Sequence, residues 1–159
     1  MPLEIRQLTP GEGALLRSLR LAALRDAPDH LGESLEAALS RSDQSWADAT
    51  AAAHAAFLDG QPVAMAYAFL DSSDSSVARL GGMWVAPEAR RSGIGLALVR
   101  AIHAWAIAHA ARCVNLWVLP DSPAACLYQR AGFTATGSTK PFSATDARTL
   151  IALELVARA

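Results

Sequence analysis

A run of arginine and glycine residues near the middle of the chain could bind a phosphate group. Arg90 and Arg91 follow an apolar segment, and Gly93 and Gly95 open a predicted helix. Amides at a helix N-terminus are unpaired and lie at the positive end of the helix dipole, and glycines let a pyrophosphate approach them. The two guanidinium groups can add charge-assisted hydrogen bonds. The segment therefore predicts a pyrophosphate site.

Two common nucleotide motifs do not fit this segment. The dinucleotide fingerprint needs a small residue three positions after Gly95, where Leu98 stands. The P-loop needs a lysine followed by serine or threonine, and the only lysine is Lys140. The remaining pattern, Arg90-x-x-Gly93-x-Gly95, resembles the acyl-CoA pyrophosphate loop of the GNAT superfamily of N-acetyltransferases.

The flanking sequence strengthens this resemblance. Val85-x-Pro87-x-x-Arg90 precedes the loop directly. The segment Leu116–Phe133 is similar to the superfamily's second acetyl-CoA motif, which consists of a strand, an asparagine, a helix with Leu-Tyr, and Gly-Phe. The resemblance runs from about Val77 to Phe133.

Two residues depart from the family pattern. Arg91 stands where the family most often has glycine, a change that should preserve phosphate binding. Asp121 stands where the family usually has asparagine, so a contact from this side chain to the pantetheine arm is left open.

The resemblance implies an α/β (α+β) GNAT fold with flanking helices and a mostly antiparallel mixed sheet. Its fourth and fifth strands, here Val77–Val85 and Cys113–Leu119, would splay apart around acetyl-CoA. Backbone groups near Met83 and Val85 would pair with the pantetheine and polarise the thioester carbonyl. The cofactor-binding residues implied in this way are Met83, Trp84, Val85, Arg90, Arg91, Ser92, Gly93, Ile94, Gly95, Asp121, Ala124 and Tyr128.

Tyr128 matches the tyrosine that, in many members of the family, protonates the departing thiolate. A phenol with a pKa near about 10 is protonated at neutral pH and lies only about 1.5 units above an ordinary thiol. The alternative is a tyrosine packed on a helix with a satisfied hydroxyl.

An acceptor amine must lose a proton before it attacks, because alkyl amines have a pKa near about 10.4. Glu33 and Glu36 are the candidate bases, with solvated surface residues as the alternative. Together with Asp71 and Asp74 they could also attract a cationic acceptor. Trp84 and Trp117 flank the expected cleft and could line an acceptor pocket, with core or rim aromatics as the alternative. No spacing of His, Cys, Asp and Glu predicts a metal site.

The elements that must position these residues follow from hydrophobic periodicity and turn signals. Asp59-Gly60 predicts a tight hairpin, and Gly81-Gly82 predicts a bulge or a close backbone approach within a strand. Residues 26–41 are predicted to be irregular. The predicted strands are Leu3–Gln7, Ala53–Leu58, Pro62–Leu70, Val77–Val85, Cys113–Leu119, Phe133–Thr136 and Leu150–Val156. The predicted helices contain Leu15–Leu24, Trp46–Ala49, Gly93–Ala111 and Pro123–Ala131. Ser42 or Asp43 is the predicted N-cap of the second helix.

Length and composition set the class of protein. A chain of 159 residues with 52% hydrophobic and 18% charged residues is expected to form one domain over residues 1–159. The net charge of −1, with dispersed basic residues, argues against nucleic-acid binding. No membrane span or secretory signal is visible, which favours a cytoplasmic protein. Cys113 and Cys126 are expected to be reduced, buried thiols.

These observations predict an N-acetyltransferase that moves an acetyl group from acetyl-CoA to a primary amine of a small molecule or peptide, by direct attack in a ternary complex. The alternative is a module of the same fold that binds acyl-CoA without turnover. The combination of the Arg-Gly loop with Tyr128 favours the enzyme. The acceptor, other acyl groups and a homodimer are left open.

Overall fold

The computed structural model describes residues 2–157, which form a mixed α/β fold. The described residues contain one sheet with the strand order β1-β2-β3-β4-β5-β7-β6. The strands are β1 Leu3–Gln7, β2 Ala53–Leu58, β3 Gln61–Leu70, β4 Val77–Val85, β5 Cys113–Val118, β6 Thr134–Ser143 and β7 Asp146–Val156. The helices are α1 Gly13–Asp26, α2 Leu35–Leu39, α3 Asp43–Ala49, α4 Ile94–Ala108 and α5 Pro123–Arg130, with short 3-10 turns at Pro10–Glu12, Thr50–Ala52 and Pro87–Ala89.

The sheet is mostly antiparallel, and its exception lies at the predicted cofactor strands. β4 and β5 are parallel, and their register joins Val77–Arg79 to Cys113–Asn115. The pairing is limited to the first three residues of each strand, as the predicted splay requires. The predicted fold class is therefore confirmed.

The described chain consists of two compact units. The first comprises the described residues up to Tyr67 together with Gly82–Leu98, and the second comprises Ala68–Gly81 and the described residues from Val99 onward. β3, β4 and α4 each contribute to both units. The single domain expected from the chain length stays a prediction.

The first unit is built around α1, whose apolar face packs against α3 and the strands. Leu16, Leu24, Trp46 and Met65 are almost fully buried there. Each such side chain contributes about 1.5–3 kcal/mol on leaving water. The predicted hairpin between β2 and β3 is confirmed, because Asp59 and Gly60 both have positive φ, as a tight type I′ turn requires.

The interpretation of residues 26–41 as irregular is wrong in part, because α2 forms within them. Ser34 caps this helix by accepting a hydrogen bond from the Ala37 amide, with an N–O distance of 3.0 Å. α2 buries Ala38. Five residues are too few to show a helical period, so burial against α1 rather than propensity stabilises this turn.

The second unit buries side chains of α4, β5 and β7. Val99, Ile102, Val114 and Leu153 are almost fully buried. α4 ends at Ala108, three residues before the predicted end, because Ala110 adopts a positive φ of 60°. After α5, Gly132 has a φ of 103°, which confirms it as the helix stop.

Two sequence expectations for the second unit are wrong. The polar stretch predicted as a loop after Thr136 continues β6 to Ser143, and β7 begins at Asp146 rather than Leu150. β6 is exposed along nearly its whole length, so its sequence carries no alternation of apolar and polar residues. Cys113 is buried, but Cys126 is exposed, because α5 turns Ala125 and Tyr128 into the core.

Candidate active site

The turn from β4 into α4 presents backbone amides at an open position. Arg91 and Gly93 have φ values of 62° and 83°, and α4 begins at Ile94. The Ala97 amide donates to the Gly93 carbonyl at 3.0 Å, so the preceding amides have no acceptor within the helix. A Cβ placed on Gly93 would meet no heavy atom within 4 Å. The turn can therefore accept an anion on its backbone.

The left-handed conformation of Arg91 explains why the family most often has glycine at this position. Left-handed backbone costs an ordinary residue about 1–2 kcal/mol, whereas glycine adopts it readily. A glycine at this position relieves strain, and the exposed arginine found here adds a positive charge to the turn instead.

Arg90 makes intramolecular contacts that fix the loop. Its Nε donates to the Val85 carbonyl at 2.9 Å, and its Nη2 contacts the Asp26 carboxylate. The same carboxylate accepts a hydrogen bond from Trp84 Nε1 at 2.9 Å. The Trp84 bond first and the Arg90 bond second lower the pKa of Asp26. We call Asp26, Trp84 and Arg90 the Asp26 clamp.

Sequence reasoning missed Asp26, which is the last residue of α1. An acidic residue is unfavourable at a helix C-terminus, and this mismatch is the only local signal in the sequence. Trp84 is buried in the hydrophobic core of the first unit, whereas Met83 and Val85 are half-buried beside it. Ser92 and Gly95 lie in the turn and the first turn of α4, as predicted from the motif.

A polar cluster lies beside Gly82 of β4. Arg20 of α1 is 5% exposed, and its Nε donates to Glu33 at 2.9 Å. Arg41 lies 3.7 Å from the other carboxylate oxygen of Glu33. Burial raises the pKa of Tyr67, whose ring lies 5.5 Å from the Arg20 guanidinium carbon. We call Arg20, Glu33, Arg41 and Tyr67 the Arg20 cluster.

The two predicted base candidates have different surroundings. Glu33 is paired with two arginines in the Arg20 cluster, so its carboxylate has a structural partner. Glu36 is exposed in the first turn of α2. A role for either as the general base stays a prediction.

In the second unit, Tyr128 is 4% exposed and packs on Phe133, with ring centroids 5.6 Å apart. Burial raises the pKa of its phenol well above the ordinary value. The hydroxyl is therefore protonated at any physiological pH, but it is a weaker acid than the sequence argument assumed.

The backbone before α5 explains why Asp121 can stand where the family usually has asparagine. Asp121 is exposed with a φ of 63°, and asparagine and aspartate tolerate this conformation better than other residues with a Cβ. Ser122 caps α5 by accepting from the Ala125 amide at 3.1 Å, and Ala124 is half-buried in the first turn. Aspartate therefore replaces the family's asparagine without a backbone penalty.

The other acidic and aromatic candidates of the second unit have local partners. Asp71 and Asp74 each accept hydrogen bonds from a serine two residues later, and these bonds lower the pKa of both carboxylates. They also pair with arginines, which offsets their charge. The Lys140 ammonium lies 4.5 Å from the centroid of the Trp117 ring.

A groove of about 550 Å³ is lined by residues near the start of α1 and α3, none of them a predicted cofactor residue. Within residues 2–157, no group of His, Cys, Asp and Glu side chains is arranged to hold a metal ion. No helix of the described part of the chain is long and apolar enough to cross a membrane.

The fold agrees with comparisons to known proteins. The model of the acetyltransferase (GNAT) family matches residues 17–133, and the chain belongs to this family. It is 37% identical over 108 residues to the aminoglycoside N(6')-acetyltransferase type 1 of Stenotrophomonas maltophilia. That match takes in 64% of this chain and spans 65% of the length of the relative.

Solved structures show the same fold at low sequence identity. A GNAT-family acetyltransferase from Streptococcus pneumoniae superimposes with a TM-score of 0.82 and 19% identity over 99% of this chain and 100% of that one. A protein from Salmonella typhimurium, solved with its cofactor acetyl-CoA, has a TM-score of 0.77 and 14% identity over 100% of this chain and 96% of that one.

Proposed function

We propose that the chain is an N-acetyltransferase that transfers an acetyl group from acetyl-CoA to a primary amine. The observation that carries the proposal is the β4–α4 turn, which combines left-handed Arg91 and Gly93 with the open N-terminus of α4. Membership of the GNAT family, the named activity of the Stenotrophomonas relative and the acetyl-CoA in the Salmonella structure support the choice of co-substrate.

The residues of the turn bind and orient the co-substrate in this proposal. The amides that open α4 accept the pyrophosphate, and the guanidinium of Arg91 adds a charge-assisted contact. The Asp26 clamp holds the end of β4, because Arg90 is bonded to the Val85 carbonyl. Backbone amides near Met83 and Val85 then polarise the carbonyl of the thioester.

Acetyl-CoA supplies the acetyl group as a thioester. The neutral acceptor amine attacks the carbonyl carbon, a C–N bond forms, and the C–S bond breaks. Tyr128 donates its proton to the departing thiolate, Glu33, Glu36 or a water chain removes a proton from the amine nitrogen, and the Tyr128 phenolate regains a proton from solvent. Direct transfer in a ternary complex requires no acyl-enzyme, and Cys126 therefore has no part in it.

A panel of amines separates the enzyme from a non-catalytic acyl-CoA sensor. We expect acetyl-CoA-dependent thiol release with at least one amine, and mass spectrometry should show one added acetyl group on that amine. Thiol release no faster than hydrolysis with every amine, in a protein that binds acetyl-CoA, would establish the sensor instead.

A further inference from the structure

The Arg20 cluster holds a buried guanidinium with an unused donor. Arg20 Nε bonds to Glu33 and Nη2 lies 3.5 Å from the Leu31 carbonyl. Its Nη1 is buried, and no hydrogen-bond partner for it exists among residues 2–157. A buried donor without a partner costs about 1–3 kcal/mol, and more when it is charged. A ligand with a hydrogen-bond acceptor could satisfy Arg20 Nη1.

A second unused group lies in the same cluster. The Tyr67 hydroxyl is buried, and no partner within the described residues meets hydrogen-bond geometry with it. The Arg20 and Arg41 guanidinium groups favour the ionised phenol, and Arg41 is near enough to donate to the phenol oxygen, but burial dominates and raises the pKa of Tyr67. The hydroxyl is therefore protonated at neutral pH and is available as a donor.

Gly82 brings both groups against β4. A Cβ on this glycine would lie 2.8 Å from Tyr67 Cδ2 and 3.1 Å from Arg20 Nη1, and its φ is 61°. The ring and the guanidinium thus occupy the space that any other side chain would fill. Arg20 and Tyr67 therefore lie beside Gly82, which directly precedes Met83 on the strand proposed to polarise the thioester.

The charge of the cluster sets the sign of the ligand. Arg20 and Arg41 flank the single carboxylate of Glu33, so the cluster carries one net positive charge. The Glu33 and Arg41 side chains are 26% and 25% exposed, so the cluster reaches solvent through them. A polycationic acceptor would be repelled here, whereas an anionic oxygen would be attracted.

We infer that Arg20 and Tyr67 bind the carboxylate of the acceptor, which makes the substrate an amine that carries a carboxylate, such as a free amino acid. This inference rests on the proposed function and names the substrate class of its acceptor site. A carboxylate accepts from both donors at once, and charge-assisted bonds of this kind are the stronger ones. Of the acidic residues that had suggested a cationic acceptor, Glu33, Asp71 and Asp74 are paired with arginines.

Substrate pairs that differ only in the carboxylate test the inference through kinetics. We expect leucine to be acetylated with a higher kcat/KM than isoamylamine, and phenylalanine with a higher value than phenethylamine. Tyr67→Phe should raise KM for the amino acids by about tenfold, the effect of losing one hydrogen bond to a charge, with kcat and the decarboxylated amines little changed. Arg20→Lys should act in the same direction.

Arg6→Lys is the matched control for the arginine variant. Arg6 is also paired with a glutamate, Glu12, and lies 4.6 Å from the centre of an aromatic ring, Phe57. Both of its terminal nitrogens already have a carboxylate partner, unlike the buried Nη1 of Arg20. An equal effect of Tyr67→Phe on both members of a pair, or equal rates for both members in the parent, would overturn the inference.

A binding experiment separates this failure from failure of the proposed function. Ligand-observed NMR can compare N-acetyl-leucine with N-isoamylacetamide on the parent, Tyr67→Phe and Arg6→Lys proteins without turnover. Selective binding of N-acetyl-leucine that is lost only in Tyr67→Phe supports the subsite even if no amine is acetylated. Absence of this selectivity overturns it, whether or not other amines are acetylated.

Discussion

At the scale of single residues, burial determines how Tyr128 can act as a proton donor, and backbone conformation determines what Arg91 costs as a phosphate contact. Tyr128 is buried and has a raised pKa. Its phenol is therefore protonated at neutral pH but releases its proton less readily than an exposed phenol. Arg91 is exposed and strained, and it combines a charge with an unfavourable backbone. Each residue can be tested by a substitution that removes one property and keeps the other.

Replacement of Tyr128 by phenylalanine keeps the packing on Phe133 and removes the proton donor. We expect kcat to fall by about 10²- to 10⁴-fold, with little change in acetyl-CoA affinity. Because the pKa of Tyr128 is raised, the parent should show no loss of rate from its ionisation up to about pH 10. Steady-state kinetics across pH with calorimetry check both points, and parental turnover in the variant would leave Tyr128 a packing residue.

Two substitutions at Arg91 separate strain from charge. Arg91→Gly removes about 1–2 kcal/mol of backbone strain and adds about 0.5–1 kcal/mol of unfolded-state entropy, so stability should rise slightly. Arg91→Ala keeps the strain and should leave stability unchanged. CoA affinity should fall equally in both variants, because both lose the cation. Urea unfolding and calorimetry measure the two effects, and unchanged CoA affinity would remove Arg91 from the phosphate site.

At the scale of elements, side chains from distant parts of the first unit hold the end of β4. The Asp26 clamp joins the end of α1 to β4 and to the loop after it. Gly82 lies three residues before Val85, and its missing side chain leaves the space that Arg20 and Tyr67 occupy against the same strand. Both arrangements predict that residues outside the cofactor motif control its geometry.

Asp26→Asn should weaken the clamp, because the amide loses the charge that pairs with Arg90. The pair is partly exposed, so we expect a loss of about 1 kcal/mol or less at pH 7, together with weaker CoA binding. The folded pKa of Asp26 is lowered, so its stabilisation is present above the unfolded value of about 3.9 and is lost as pH falls through the folded value. Urea unfolding at several pH values should show the difference from the parent vanishing in acid, and a constant difference would contradict the assignment.

Gly82→Ala should destabilise the protein by about 1–3 kcal/mol, because the new methyl group meets the Tyr67 ring in a left-handed backbone. Gly81→Ala is the matched control, since a Cβ there meets no atom within 4 Å. Thermal unfolding of the two variants measures the contrast. Equal stability of both variants would show that the cluster does not depend on this contact.

At the scale of the whole molecule, local patterns predicted most elements, and long-range contacts account for the rest. The bounds of β1 and β4 agree with the apolar runs, and the caps of α3 and α5 agree with Ser42 and Gly132. α2 and the outer part of β6 lack a period of their own and were missed. The partners of Arg90 and Glu33 could not be predicted, because these contacts depend on residues distant in sequence.

The central claim is that the β4–α4 turn binds the pyrophosphate of CoA, and calorimetry with CoA tests it most directly. Gly95 lies in the first turn of α4, so Gly95→Val should place a side chain where the pyrophosphate approaches and weaken binding by at least about tenfold. Ala104→Val, on an exposed position of the same helix, should bind CoA like the parent. We predict saturable CoA binding to the parent at submillimolar concentrations. No binding at millimolar CoA, or equal affinity in a folded Gly95→Val variant, would contradict the account.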